Sequence, residues 1–160
     1  MRVGITGHQR LQDSIWVKHE LVRILQIQAP PLIGVTSLAL GADQLFSQAV
    51  LDCGGSLHVI VPMPSYAHDF AAEALAEYER LLSAASEVDI LPAAASKEEA
   101  YFVAGKKVVE QSDLLIAVWN GKPAAGLGGT GDVIQYAMTH GKRYIHINPV
   151  TQQIIPSLSS

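Results

Sequence analysis

"IGVTSLALGADQLFSQAVLDCGGSLHVIV", residues 33–61, decides the fold. A short apolar run (33–37) leads into a loop containing Gly41. Leu45, Phe46, Ala49 and Val50 then recur at i, i+1, i+4 and i+5, the spacing of one helix face. Cys53-Gly54-Gly55 marks the helix end, and a second apolar run follows at 57–61. Both runs are continuous rather than alternating, which suits strands buried on both faces. Strand, helix, strand is the building unit of a parallel sheet.

The same unit repeats outward. Apolar runs stand at 2–6, 87–91, 114–119 and 144–148. Between them, 13–28 sets Trp16, Leu21, Ile24 and Leu25 at helical spacing, 131–140 does so with Val133, Ile134, Ala137 and Met138, and 68–84 and 97–111 read as two more helices. Six strands alternating with five helices predict an α/β domain over 1–150: three α/β/α layers around a mainly parallel sheet of about six strands. Residues 151–160 read as a loosely attached tail. Tyr144–Asn148 alternates and reads as an edge strand.

A chain of 160 residues and 17.1 kDa accommodates one domain with a sizeable core. Charged residues are 16% of it, against about 25% in an ordinary domain, so part of the neutral surface is expected to be covered in a homo-oligomer. The net charge of −4 offers a polyanion no general attraction, and the only basic pairs are Lys106-Lys107 and Lys142-Arg143; no nucleic-acid partner is expected. One cysteine, Cys53, excludes an internal disulfide framework and a cysteine-rich zinc site. The histidines lack metal-binding spacing, so neither a metal nor a cofactor is expected. "MRVGITG" (1–7) has no secretory apolar run and nothing approaches 18 consecutive apolar residues, which points to a cytoplasmic protein without a membrane partner.

In an open α/β sheet, ligands bind beyond the carboxyl ends of the strands where strand order reverses, so the loops after strands one, two and five carry the candidate site. They read "TGHQRL" (6–11), "TSLALGAD" (36–43) and "WNGKPAAGLGGTGD" (119–132). The last contains "GLGGTG" (126–131), which spells G-x-G-x-x-G but begins seven residues (120–126 inclusive) into the loop and has no acid about 20 positions on, so it is not a dinucleotide fingerprint. Gly128, Gly129, Thr130 and Gly131 instead present backbone N–H groups and a hydroxyl at the start of a helix, a phosphate cradle. Arg10 is the best-placed cation. His8, beside Gly7, either bonds a ribose or caps helix one. Gly41 and Asp43 open helix two, where Asp43 serves the helix dipole or accepts ribose hydroxyls. Trp119 stacks on a base or belongs to the core, and Asn120 stands at the crevice edge. Asp132 is the one acid in the glycine loop and the candidate catalytic residue.

These stretches resemble a known superfamily. Residues 36–62 are similar to the S-G-x-A-x-G-x-D, Ala, G-G-x-T pattern of DprA/Smf, and "GLGGTGDVIQ" (126–135) to the P-G-G-x-G-T-x-x-E loop of the LOG phosphoribohydrolases. Both belong to the SLOG superfamily of Rossmann-like nucleotide-binding domains, and the similarity runs from Val3 to about Asn148. It implies a nucleotide-type ligand, a site on the glycine loop and, for LOG enzymes, a site shared between two subunits that Tyr101, Lys106 and Lys107 would complete. Here Leu127 stands for the proline, Asp132 for the threonine and Gln135 for the catalytic glutamate. A glutamine cannot replace a carboxylate that stabilises positive charge or moves a proton. The expected function is therefore binding of a nucleotide or phosphosugar of the AMP or ADP-ribose kind as a sensor or regulatory module. The alternative is an enzyme acting on an N-glycosidic bond, as the faint similarity of "GTGDVIQYAMTHGK" (129–142) to nucleoside deoxyribosyltransferases implies.

Overall fold

The computed structural model describes residues 1–123 and 129–157. Strands β1 (Arg2–Gly7), β2 (Ile33–Thr36), β3 (Ser56–Val61), β4 (Glu87–Ile90), β5 (Leu114–Val118), β6 (Tyr144–Asn148) and β7 (Gln153–Pro156) form one sheet in the order β4-β3-β2-β1-β5-β6-β7. The first six are parallel and β7 is antiparallel. Helices α1 (Ser14–Gln26), α2 (Ala42–Asp52), α3 (Ala72–Ser83), α4 (Lys97–Glu110) and α5 (Thr130–Thr139) make the crossovers. The α/β reading is correct, and each predicted strand is present within two residues of its expected bounds.

Alternate residues of each strand feed the two faces. Val3 and Ile5 of β1 and Ile116 and Val118 of β5 join Leu21, Phe46 and Val50 of α1 and α2, whereas Val35, Ile60 and Leu115 join Ala104, Val108 and Val133 of α4 and α5. Gly34 lets α2 lie close on the sheet: a Cβ there would come within 2.7 Å of Val50 Cγ2 and 3.1 Å of the Phe46 ring. The strand order reverses at β1, whose neighbours are β2 and β5, so the carboxyl ends of these strands face a crevice.

Three expectations change. The sheet has a seventh strand, built from the segment read as a loose tail: Ser157 N–H donates to Tyr144 O at 2.7 Å, and Ile154 packs on the core. Asn148 Oδ1 accepts the amides of Val150 and Thr151, which turns the chain back on itself and leaves β6 inside the sheet rather than at its edge. Segment 68–84 divides into a 3-10 turn, Tyr66–Asp69, and α3, separated by extended Phe70. The edge at the other side is β4, all four residues exposed. It is fastened through Arg2 Nη2, which donates to His58 Nδ1 at 2.5 Å, and His58 Nε2, which then carries the hydrogen and donates to Asp89 Oδ2 at 2.8 Å.

Candidate functional site

A cleft of about 480 Å³ opens at the carboxyl ends of the strands. Thr6, Gly7 and His8 line it from β1, Ser37, Ala39 and Asp43 from the β2–α2 loop, and Tyr66, Asp69, Phe70 and Ala71 from the 3-10 turn; Tyr101 and Gly105 of α4 and Gly129 and Thr130 of α5 close the other wall. Among the described residues that line it there is no lysine or arginine.

The backbone explains why the strand ends converge there. His8 N–H donates to Val118 O and His8 O accepts the first amide of α2, Ala42 N, so β1, β5 and α2 meet at one residue. The His8 ring accepts the Asn120 amide on Nε2 at 3.1 Å. It ties the β1 and β5 loops together and does not cap α1; Asp13 does that, accepting from Trp16 N at 3.1 Å. A Cβ at Gly7 would lie 2.4 Å from Ala42 Cβ, so glycine is what admits the start of α2 against β1.

Helix termini supply the site's polarity. The side chains of Asp13 and Ser96 cap α1 and α4. Helices α2, α3 and α5 start from Gly41, Ala71 and Gly129 with no side-chain cap, and each begins beside the cleft. Uncapped first-turn N–H groups and the positive end of the helix dipole favour an anion.

Asp43 is the buried acid of the cleft, 7% exposed. Its Oδ2 accepts from Ser37 N (3.2 Å), Ala39 N (3.4 Å) and Thr36 Oγ1 (3.4 Å); among the described residues Oδ1 has no hydrogen-bond partner. Burial pushes its pKa up to about 7, against the pull of those three donors. The folded protein thus holds a proton that the unfolded chain releases near 3.8. The associated stability is complete in acid and is lost as pH rises through the window from about 4 to about 7, by at most ~1.4 kcal/mol per unit. Asparagine can offer its carbonyl oxygen to the same three donors and has no charge to bury. Asp43→Asn is therefore expected to raise the melting temperature over wild type more at pH 8 than at pH 5, and an equal change at both pH values would show that Asp43 is not a buried charge.

At the mouth, Asp69 Oδ1 accepts Lys97 Nζ at 2.7 Å and Oδ2 accepts the Tyr101 hydroxyl. These bonds hold the Asp69 carboxyl below its usual range, while burial and Asp69 raise Tyr101. Tyr66, Phe70 and Tyr78 interlock below: Tyr66 meets Phe70 edge-on at 5.0 Å and Phe70 stacks on Tyr78 at 4.7 Å.

Of the residues singled out from the sequence, Gly7, His8, Asp43, Gly129 and Thr130 line this cleft, and Gly41 is the N-cap of α2 beside it. Arg10 is exposed and lies outside the lining. Trp119 donates Nε1 to Lys122 O at 2.7 Å and packs on the His146 ring at 5.2 Å, away from the cleft. Asn120 Oδ1 accepts Lys122 N at 2.9 Å, shaping the turn at Gly121. Gly131 and Asp132, in the first turn of α5, are half-buried and not part of the lining, and Gln135 is exposed. Gly128 lies outside the described residues. Tyr101 reaches the cleft of its own chain; Lys106 lies instead over the Phe102 and Tyr136 rings, at 4.9 and 5.9 Å. The reading missed Tyr66, Asp69 and Phe70, although "SYAHDF" (65–70) concentrates aromatic and acidic residues just after strand three.

Among the described residues one group could gather around a metal ion, His58, Glu87 and Asp89, toward the amino ends of β3 and β4 and away from the cleft. A metal on His58 Nε2 would move the imidazole hydrogen to Nδ1, where it would face the Arg2 guanidinium, donor against donor. The cluster therefore works as a hydrogen-bonded fastening from Arg2 through His58 to Asp89.

No protein-family model and no curated protein matches the sequence. Solved structures do match. DNA processing protein A from Helicobacter pylori, described for its single-stranded DNA binding mode, superimposes with a TM-score of 0.65 at 16% identity over 92% of this chain and 65% of that one. DNA processing protein A from Streptococcus pneumoniae gives 0.65 at 15% over 92% and 50%. The Moco carrier protein of Chlamydomonas rheinhardtii gives 0.54 at 14% over 91% and 74%. The chain thus spans less than two thirds of either DNA processing protein. At these identities the likeness is one of fold, the Rossmann-like fold of the proteins that the motifs resembled. The expectation of no nucleic-acid partner is overturned by the same finding, since the fold is shared with a protein described for its single-stranded DNA binding. Net charge sums the whole surface and does not exclude a partner that needs only a local strip of cations and rings. No helix among the described residues is long and apolar enough to cross a membrane.

Proposed function

We propose that the protein binds a nucleotide or nucleotide-derived phosphosugar, of the AMP or ADP-ribose kind, as a sensor or regulatory module. The observation that carries this reading is the sorting of helix caps: the three helices whose first turns or N-caps line the cleft have no side-chain cap, and the two whose first turns are outside the lining have one. With no cation in the lining, those backbone donors are the means of holding a phosphate. Oδ1 of Asp43 would hydrogen-bond a sugar hydroxyl, as donor when protonated and as acceptor when ionised, and the cleft volume is that of an ordinary small-molecule site. Titration calorimetry of the wild type with ribose 5-phosphate, AMP, ADP-ribose, NAD and a single-stranded oligonucleotide tests it. Binding of a phosphosugar or nucleotide at micromolar to submillimolar affinity is expected; heat from the oligonucleotide alone would transfer the function to nucleic-acid binding.

One observation favours cleavage of an N-glycosidic bond as a second reading. A buried carboxyl in the cleft whose pKa is pushed up to about 7 is suited to giving or taking a proton near neutral pH, and Asp43 has it where the exposed Gln135 and the half-buried Asp132 do not line the cleft. Chromatography of free base released from AMP, dAMP and NAD decides: release that Asp43→Asn abolishes would establish an enzyme, and intact nucleotides would leave a binding module.

A further inference from the structure

The cleft has to hold an anion and a carboxyl group side by side. Its means of binding a phosphate are the uncapped starts of α2, α3 and α5, and Asp43, 7% exposed, stands in the first turn of one of them and lines the same cavity. Two unit charges about 10 Å apart, at an effective dielectric constant of about 20, change an acid's proton affinity about tenfold. A phosphate-bearing ligand in this cleft therefore acts on the protonation of Asp43.

Nothing around Asp43 supplies a compensating charge. Ser37 N, Ala39 N and Thr36 Oγ1 are neutral donors, and all three point at Oδ2. Asp69, the other acid of the lining, has its own cation, Lys97 Nζ on Oδ1, with the Tyr101 hydroxyl on Oδ2. Tyr66 and Tyr101 stay neutral: burial first, then the charge of Asp43 on one and the bond to Asp69 on the other, raises both hydroxyls above the ordinary tyrosine range. His8, at the end of β1, accepts the Asn120 amide on Nε2, which requires that nitrogen to be unprotonated. Arg10, Glu73 of α3 and Asp132 of α5 stand outside the lining.

We propose that the cleft takes up its anionic ligand together with a proton from solvent: Asp43 is neutral in the complex, and Oδ1–H donates to an oxygen of the ligand. The proposal rests on the nucleotide reading above. Three donors already face Oδ2, so the hydrogen belongs on Oδ1, the oxygen without a partner among the described residues. A protonated Oδ1 has a hydrogen to give and no charge to repel; an ionised one has the reverse. Burial already pushes the Asp43 pKa up to about 7, and a neighbouring anion pushes it further in the same direction. Below that pH the acid is protonated with or without ligand, and affinity is level. Above it, binding must take up a proton, and affinity falls by up to about tenfold per pH unit.

Calorimetry with ADP-ribose on the full chain tests this. Each phosphate of ADP-ribose is esterified or bridged on both sides, so the charge of the ligand is the same at pH 6.5 and pH 8.5. The wild type is expected to bind about 5- to 30-fold more tightly at pH 6.5 and, in buffers of different ionisation enthalpy at pH 7.5, to take up about half a proton or more. Asp43→Asn keeps an acceptor for the three donors and a hydrogen for the ligand without a charge. It should bind at pH 8.5 about as tightly as the wild type does at pH 6.5, a gain of affinity that a merely structural role would not produce. His8 is present in both proteins, so the difference between them belongs to Asp43. If AMP binds and ADP-ribose does not, its phosphate titrates alike with both proteins and the same comparison decides. Equal wild-type affinity at the two pH values overturns the coupling, as does a folded Asp43→Asn with the pH dependence of the wild type; in both cases binding itself leaves the nucleotide reading standing. If neither ligand nor ribose 5-phosphate binds at millimolar concentration at pH 6.5, that reading falls and the coupling with it.

Discussion

Gly129→Asp is expected to fold like the wild type and to lose affinity for phosphate-bearing ligands by about a hundredfold or more. The backbone permits the change. Gly129 is the N-cap of α5 at φ −73° and ψ 171°, an extended conformation open to any residue, and aspartate is a better cap than glycine by a few tenths of a kcal/mol. A carboxylate there would accept the first-turn N–H groups of α5 and occupy the place of the ligand's anion. Its like charge facing a phosphate costs several kcal/mol, which is the hundredfold or more. Calorimetry with ribose 5-phosphate, paired with thermal unfolding, reads both halves. A variant that is stable and still binds at wild-type affinity would remove α5 from the phosphate site.

Gly41→Ala is expected to have the opposite signature, a loss of stability large enough to see before any ligand is added. Gly41 sits at φ 88° and ψ −122°, a conformation that side-chain-bearing residues avoid, and a Cβ there would be 2.4 Å from Gln9 O and 2.5 Å from His8 O. The clash is with backbone, and one of those carbonyls accepts the first amide of α2. Relief requires moving the start of α2 away from β1, at a cost of about 4 kcal/mol when strain and overpacking are combined. Urea unfolding measures it as a lowered midpoint at unchanged slope. A midpoint shift below that of an ordinary surface substitution would show that the β1 and α2 ends are not as closely packed as the backbone contacts require.

Much of this architecture is written locally. The run from Ile33 to Val61 carries strand, helix face, helix end and strand in residues that interact within one unit, and the parallel core follows because each apolar run can be buried only under a crossover helix. The switch-point rule then places the loops of Gly7, Asp43 and Gly129 at one sheet edge without further information. What stayed hidden depends on partners distant in the chain. Residues 153–156 are too few, and end in a proline, to read as a strand until β6 supplies hydrogen bonds from Tyr144 to Asn148. Trp119 looks equally suited to a ligand or to the core, and only the proximity of His146 and the Lys122 carbonyl turns it away from the cleft.

The sequence by itself determined six of the seven strands, their parallel sense, their alternation with the helices and the glycine start of α5, because hydrophobic periodicity and missing side chains are properties of residues close together along the chain. Only the tertiary structure decided which acid lies in the cleft. Asp43, Asp69 and Asp132 are alike as letters. What separates them is burial that holds a proton on Asp43, the ammonium and hydroxyl that α4 brings to Asp69, and the turn of α5 that leaves Asp132 outside the lining. Desolvation and hydrogen bonding between remote segments arise only when the chain is folded, and with them the chemistry of the site.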